Sequence, residues 1–129
     1  MFVVDSSVWI ELYSARRGRE ADLLRKAIEE ERKVALCGPV VQEVLQGIRE
    51  EAIFQREWRH LLSFPVLETT LWTFLRAASL YRSMRRRGST VNSFDTTIAA
   101  VCLENGLPLL TCNHRDFEPL ARHVGLKLE

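Results

Sequence analysis

Short apolar runs alternate along this chain with longer stretches in which apolar residues recur every three or four positions. Phe2-Val3-Val4 is a β-branched run closed by Asp5, which predicts a buried strand. Ser6 and Ser7 are placed to cap a following helix, whose apolar face is Val8, Trp9 and Leu12. Residues 17–32 carry Leu23, Leu24, Ala27 and Ile28 on one helical stripe. Val34-Ala35-Leu36-Cys37 reads as a second buried strand, and Gly38-Pro39 opens another helix with Val40, Val44 and Leu45 inward. Residues 51–62 predict a helix with Phe54, Trp58, Leu61 and Leu62 in register, and Pro65-Val66-Leu67 a short strand. Helices are expected over 71–87, stopped by Gly88, and over 93–105, stopped by Gly106. A strand is expected over 107–111, a last helix over 116–124 and an edge strand over 126–128. Strands alternating with helices predict a parallel sheet covered by helices. No linker, repeat or low-complexity stretch divides the chain, so a single domain over residues 1–129 is expected.

Composition narrows the class. At 47% hydrophobic and 27% charged, the chain has a globular balance and not that of a disordered one. No apolar run approaches membrane-spanning length, and no secretion signal is recognisable, which points to the cytoplasm. Three scattered cysteines, Cys37, Cys102 and Cys112, make a poor disulfide framework and fit a reducing compartment. A net charge of +1 rules out polyanion binding by bulk charge alone, so the distribution of charge matters more. Arg76, Arg82, Arg85, Arg86 and Arg87 fall in an acid-free stretch, and Arg grips phosphate bidentately. The cluster reads either as a phosphate-binding face or as a solvated helix surface.

Of the four aspartates, three stand at special places. Asp5 ends the first strand, where parallel sheets bind ligands. Asp116 lies just beyond the strand that ends at Thr111, near the same edge. Asp95 sits one helical turn before Ile98 and Ala99 and so shares their inward stripe. Glu43 lies early in a helix that follows a strand, one turn before Gly47, which leaves room beside its carboxylate. Each acid alone has a plain structural use as a helix cap or first-turn acid. Four together on one sheet edge would repel, unless a hard divalent cation neutralised them. Oxygen ligands with retained water suit Mg²⁺ or Mn²⁺, and the chemistry that follows is phosphodiester hydrolysis.

The residues that carry this pattern also carry a resemblance. Val3-Val4-Asp5-Ser6-Ser7-Val8-Trp9-Ile10, Pro39–Gly47 around Glu43, Phe94-Asp95-Thr96-Thr97-Ile98, and Leu110-Thr111-Cys112-Asn113-His114-Arg115-Asp116-Phe117 occur in that order. In these four elements, over nearly its full length, the chain resembles the PIN-domain ribonucleases, and specifically the VapC-type toxins of toxin–antitoxin pairs. The resemblance implies a three-layer α/β/α sandwich with a central parallel sheet, Mg²⁺-dependent endoribonuclease activity, a homodimer and a small antitoxin partner whose tail crosses the active-site groove. It assigns acid roles to Asp5, Glu43 and Asp95, and on that basis Asp5 and Asp95 are expected to hold the metal. Ser7 takes the polar position beside the first aspartate. The fourth position is open between two forms: some members carry aspartate where this chain has Asn113, and others rely on the aspartate three residues later, here Asp116. RNA phosphates are then expected on Arg82, Arg85, Arg86 and Arg87.

Two other classes compete. An aspartyl-phosphate receiver or phosphatase would suit Asp5, but Ser7 stands where its second aspartate belongs, and the three lysines fall poorly for phosphate. A PIN-like module that binds RNA or protein without cutting is compatible with Asn113. A zinc site from Cys112, His114 and His123 lacks paired-cysteine spacing.

Overall fold

The computed structural model describes residues 1–129. In chain order the elements are β1 (Phe2–Val4), α1 (Ser6–Tyr13), α2 (Arg19–Glu29), β2 (Val34–Cys37), α3 (Gly38–Gln46) and α4 (Glu51–Leu61). They continue with β3 (Val66–Leu67), α5 (Leu71–Arg86), α6 (Ser93–Asn105), β4 (Leu109–Leu110) and α7 (His114–Val124). The sheet has the order β3-β2-β1-β4 and every pairing is parallel. Val3 lies opposite Ala35 on one side and Leu109 on the other, so β1 is an interior strand.

Every residue of β1 and β2 is buried. Successive side chains of a strand point to opposite faces, so both faces must be covered. This is why these strands read as unbroken apolar runs, and it makes the fold a three-layer α/β/α sandwich. A single core cluster joins the strands to every helix, with Trp9, Phe117, Leu24 and Ile98 among its largest members. Helix α6 is its centre: residues Asp95 through Cys102 are all buried. Cys37 and Cys102 are core side chains, as small apolar residues are expected to be.

The expected elements are all recovered, with four corrections. The strand expected over 107–111 shrinks to Leu109–Leu110. Pro108 has no N–H to give, but its carbonyl accepts from Val3 N–H at 2.9 Å. The edge strand over 126–128 is reduced to a single parallel bridge between Leu109 and Leu128. Helix α7 starts two residues early, at His114. Helix α4 is turned relative to its expected stripe: Leu61 is buried, Trp58 and Leu62 are 40% and 48% exposed, and Glu57 is buried instead.

Candidate active site

The strand order reverses at β1. The chain leaves β1 to build β2 and β3 on one side and returns to place β4 on the other. At such a point the loops leaving two neighbouring strands diverge, and a crevice opens beyond their carboxyl ends. Asp5 directly follows β1 and Thr111 directly follows β4.

Asp5 is 1% exposed and held by hydroxyls. Its Oδ2 accepts from Ser7 Oγ at 2.7 Å and from Thr111 Oγ1 at 2.8 Å. Ser6 Oγ lies 3.4 Å from Asp5 Oδ1 and 3.2 Å from Glu43 Oε1, bridging the two acids. The capping expected of Ser6 and Ser7 is therefore corrected. Both lie inside the first turn of α1, Asp5 occupies the cap position without a side-chain cap bond, and the serine hydroxyls serve carboxylates.

Glu43 comes from α3, and burial followed by the charge on Asp5 pushes its carboxyl above the ordinary range. Asp95 comes from the first turn of α6 and is 5% exposed. Its backbone N–H donates to Oδ1 of the helix cap Asn92 at 2.8 Å, which fixes the start of the helix. Burial first, then the negative charges of Asp5, Asp116 and Glu43, push the Asp95 carboxyl up to about 7. Asp116, exposed in the first turn of α7, lines the same cleft of about 200 Å³ as Asp95, together with Asn92, Val91 and Thr90. Asp95 thus feels the charges of three acids that come from separate parts of the chain.

Asn113 is exposed at the cap position of α7, makes no side-chain cap bond and gives its backbone N–H to Thr111 Oγ1 at 2.9 Å. Arg82, Arg85, Arg86 and Arg87 are exposed at the end of α5, and none is ion-paired. Arg85 lies over the Tyr81 ring at 5.9 Å, and Arg82 shares a cavity with Tyr81 and with Ser93, Thr96 and Thr97 of α6. The zinc trio does not assemble. Cys112 donates to Glu11 at 2.8 Å, His114 is bonded to Glu20 at 2.9 Å, and His123 is exposed. The Cys112 thiol is pushed up to about 12 by burial and by Glu11, so it stays protonated.

Thr111, Ser6 and Asn92 are the site residues that sequence reasoning did not single out. A signal existed for Thr111, which ends β4 as Asp5 ends β1. Ser6 was read only as a cap, and nothing in the sequence links it to Glu43, which is 37 positions away.

The donor set fits a hard divalent cation. No ion pair in the molecule ends on Asp5, Glu43, Asp95 or Asp116, so their mutual repulsion has no protein counter-charge. No three carboxylate, His or Cys side chains close into a ready-made cage. An open set of carboxylates suits a hard divalent cation that keeps several waters and takes only one or two carboxylates directly.

Comparison with known proteins gives a consistent result. The family profile described as PIN domain matches residues 2–122. Ribonuclease VapC11 of Mycobacterium tuberculosis is 32% identical over 132 residues, covering 98% of this chain and 96% of that protein. Among solved structures, VapBC-1 from nontypeable Haemophilus influenzae superposes with a TM-score of 0.79 at 16% identity, covering 99% of this chain and 96% of that one. A toxin–antitoxin complex from Klebsiella pneumoniae gives 0.73 at 24% identity, covering 91% and 90%.

Proposed function

This chain belongs to the PIN-domain family and to its VapC-type ribonucleases, and from that premise we propose that it is the toxin of a toxin–antitoxin pair, a single PIN domain that hydrolyses RNA with Mg²⁺ held by Asp5 and Asp95. The observation that carries this is the gathering of four acids at one sheet edge: Ser6 bridges Asp5 to Glu43, Asp95 and Asp116 line one cleft, and the charges of Asp5, Asp116 and Glu43 all act on Asp95, with no ion pair to any of the four. A bound divalent ion would polarise a phosphate oxygen and lower the pKa of water, which is the chemistry that phosphodiester hydrolysis needs.

The chain's own residues divide the remaining work. Ser7 and Thr111 orient Asp5 through two short hydrogen bonds to one oxygen, and Ser6 approaches the other at 3.4 Å. Glu43, a carboxyl whose proton affinity is raised, is the base that takes a proton from the attacking water. Asp116, solvent-facing across from Asp95, orients that water, with Asn113 as a polar neighbour. Water adds to phosphorus as the bond to the leaving ribose oxygen breaks, so no covalent enzyme intermediate forms. Arg82, Arg85, Arg86 and Arg87 hold flanking phosphates.

The partner assignments follow the same reading. A small antitoxin covers the site, and a second copy of the chain meets the apolar start of α5. No helix is long and apolar enough to cross a membrane, and the reading places the protein in the cytoplasm. The test is cleavage of end-labelled RNA. Wild type cuts with Mg²⁺ and stops with EDTA, and Asp95→Asn loses at least about 100-fold in rate. An Asp95→Asn protein that cuts at the wild-type rate defeats the assignment.

A further inference from the structure

A groove of about 380 Å³ lies between α5 and α6, and the hydrolytic chemistry does not use it. Phe74, Ala78 and Tyr81 of α5 line one side, and Ser93, Thr96 and Thr97 of α6 line the other. Arg82 also lines it and no acid does, so the surface suits an anion. The two threonine hydroxyls spend their hydrogens inside the helix: Thr96 Oγ1 and Thr97 Oγ1 both donate to the Ser93 carbonyl, at 3.1 and 2.9 Å. What they offer to a ligand is lone pairs, which accept. Arg82, which has no ion-pair partner, offers donors. Tyr81 offers a ring, and the Arg85 guanidinium stands 5.9 Å from its centre. Ser93 and Thr96 bracket Asp95 in the first turn of α6, so the groove and the acid cluster meet at that turn.

We propose that this groove receives one splayed-out base of the RNA strand, laid on Tyr81, with Thr96, Thr97 and Arg82 at its polar edge. The inference rests on the ribonuclease reading and deepens it, because it names where the base beside the cut phosphate is held. Single-stranded RNA is recognised through unstacked bases laid on aromatic rings, with hydrogen bonds to their edges. A base presents both N–H donors and oxygen or ring-nitrogen acceptors, and the groove provides a counterpart to each. Its size falls at the low end of small-molecule sites, roughly 300–1,000 Å³, which fits a single base. Tyr81 and Arg82 stand two turns along α5 from Phe74, away from the apolar start of the helix where the proposed second copy sits. Arg82 and Arg85 hold the phosphates on either side of the seated base.

The experiment uses the full chain in EDTA and two labelled decamers of equal charge, oligoadenylate and a base-free ribose-phosphate polymer of the same length. Adenine serves because stacking on an aromatic ring tolerates any base. Wild type should bind oligoadenylate at least about tenfold tighter, and methyl NMR should show Thr96 and Thr97 shifting with that decamer alone. Tyr81→Ala and Ala78→Leu should each reduce the preference to about twofold or less, while both variants bind the base-free polymer as wild type does. Both positions are exposed on α5 and both replacements are good helix formers, so the variants fold. Equal binding of the two decamers to wild type overturns the proposal, as does a preference that survives either substitution. Adenosine monophosphate that shifts the same methyls while oligoadenylate does not assigns the groove to a free nucleotide and also overturns it. So does an Ala78→Leu chain that keeps the preference but loses half its mass in light scattering, which assigns the groove to a second copy. Base-dependent binding by a chain that never cleaves RNA sinks the ribonuclease reading alone. Cleavage with base-independent binding sinks this inference alone.

Discussion

Asp5 is oriented by three neutral hydroxyls and no cation, and each hydroxyl comes from a place with its own reason to be there. Ser6 and Ser7 follow Asp5 directly, whereas Thr111 arrives because β4 pairs with β1. Replacing Thr111 with Val keeps its shape, removes one of the two bonds to Asp5 Oδ2 and frees Asn113 N–H. Residues that hold a metal ligand in place commonly contribute about 10–100-fold to metal affinity or activity. Thr111→Val should therefore lower cleavage about tenfold and raise the Mg²⁺ concentration needed for half-maximal rate. A shift in rate with no change in Mg²⁺ dependence would separate Thr111 from the metal. Glu57 allows a second test, of pH, because burial pushes its carboxyl above the ordinary range. Below its ordinary value of 4.5 the group is protonated in both the folded and unfolded chain and adds no penalty. As pH rises past that value the unfolded chain ionises first while the folded one holds its proton, so folding stability falls until the raised folded value is passed. Urea midpoints at pH 4.5 and pH 8, without any partner, should drop more for wild type than for Glu57→Gln. Equal drops would mean that this carboxylate is satisfied in the free protein.

Helix α6 shows how one element links core to chemistry. Its run from Asp95 to Cys102 is buried throughout, so the carboxylate in its first turn is fixed by the same packing that holds Ile98 and Val101. Periodicity placed Asp95 on the inward stripe, and its burial follows. Periodicity misjudged α4, where Trp58 and Leu62 look like core residues and Glu57 like a solvated one. The helix is oriented by Leu61 and by the groove against α3, and a stripe drawn through the sequence carries no information about that groove. Helix α5 closes with Arg85 and Arg86 and is capped by Arg87, all exposed, and Arg87 is five residues from the Asn92 cap. Replacing all three with Ala should weaken binding of single-stranded RNA and reduce the slope of log affinity against log salt by about 2. An unchanged slope returns the cluster to a solvated helix end.

Over the whole molecule the least covered apolar surface is the start of α5, where Leu71, Trp72, Phe74 and Leu75 are 70%, 74%, 52% and 51% exposed. A contiguous patch of large apolar side chains marks a protein interface, and the proposed homodimer would place a second copy there. Light scattering after size exclusion should give twice the chain mass for wild type and a single chain mass for Trp72→Glu. A dimer that survives this change moves the interface elsewhere. By itself the sequence determined the alternation of strands and helices, the buried parallel sheet, and which acids stand at strand ends or on inward stripes. Those properties are local, set by residue spacing along a strand or helix and by turn residues such as Gly106. The tertiary structure alone decided that Ser6 bridges Asp5 and Glu43, that Thr111 grips Asp5 across 106 positions, and that Glu57 turns into a cavity. These depend on strand order and on helix rotation, which are fixed by packing among distant segments and leave no periodic trace in the chain.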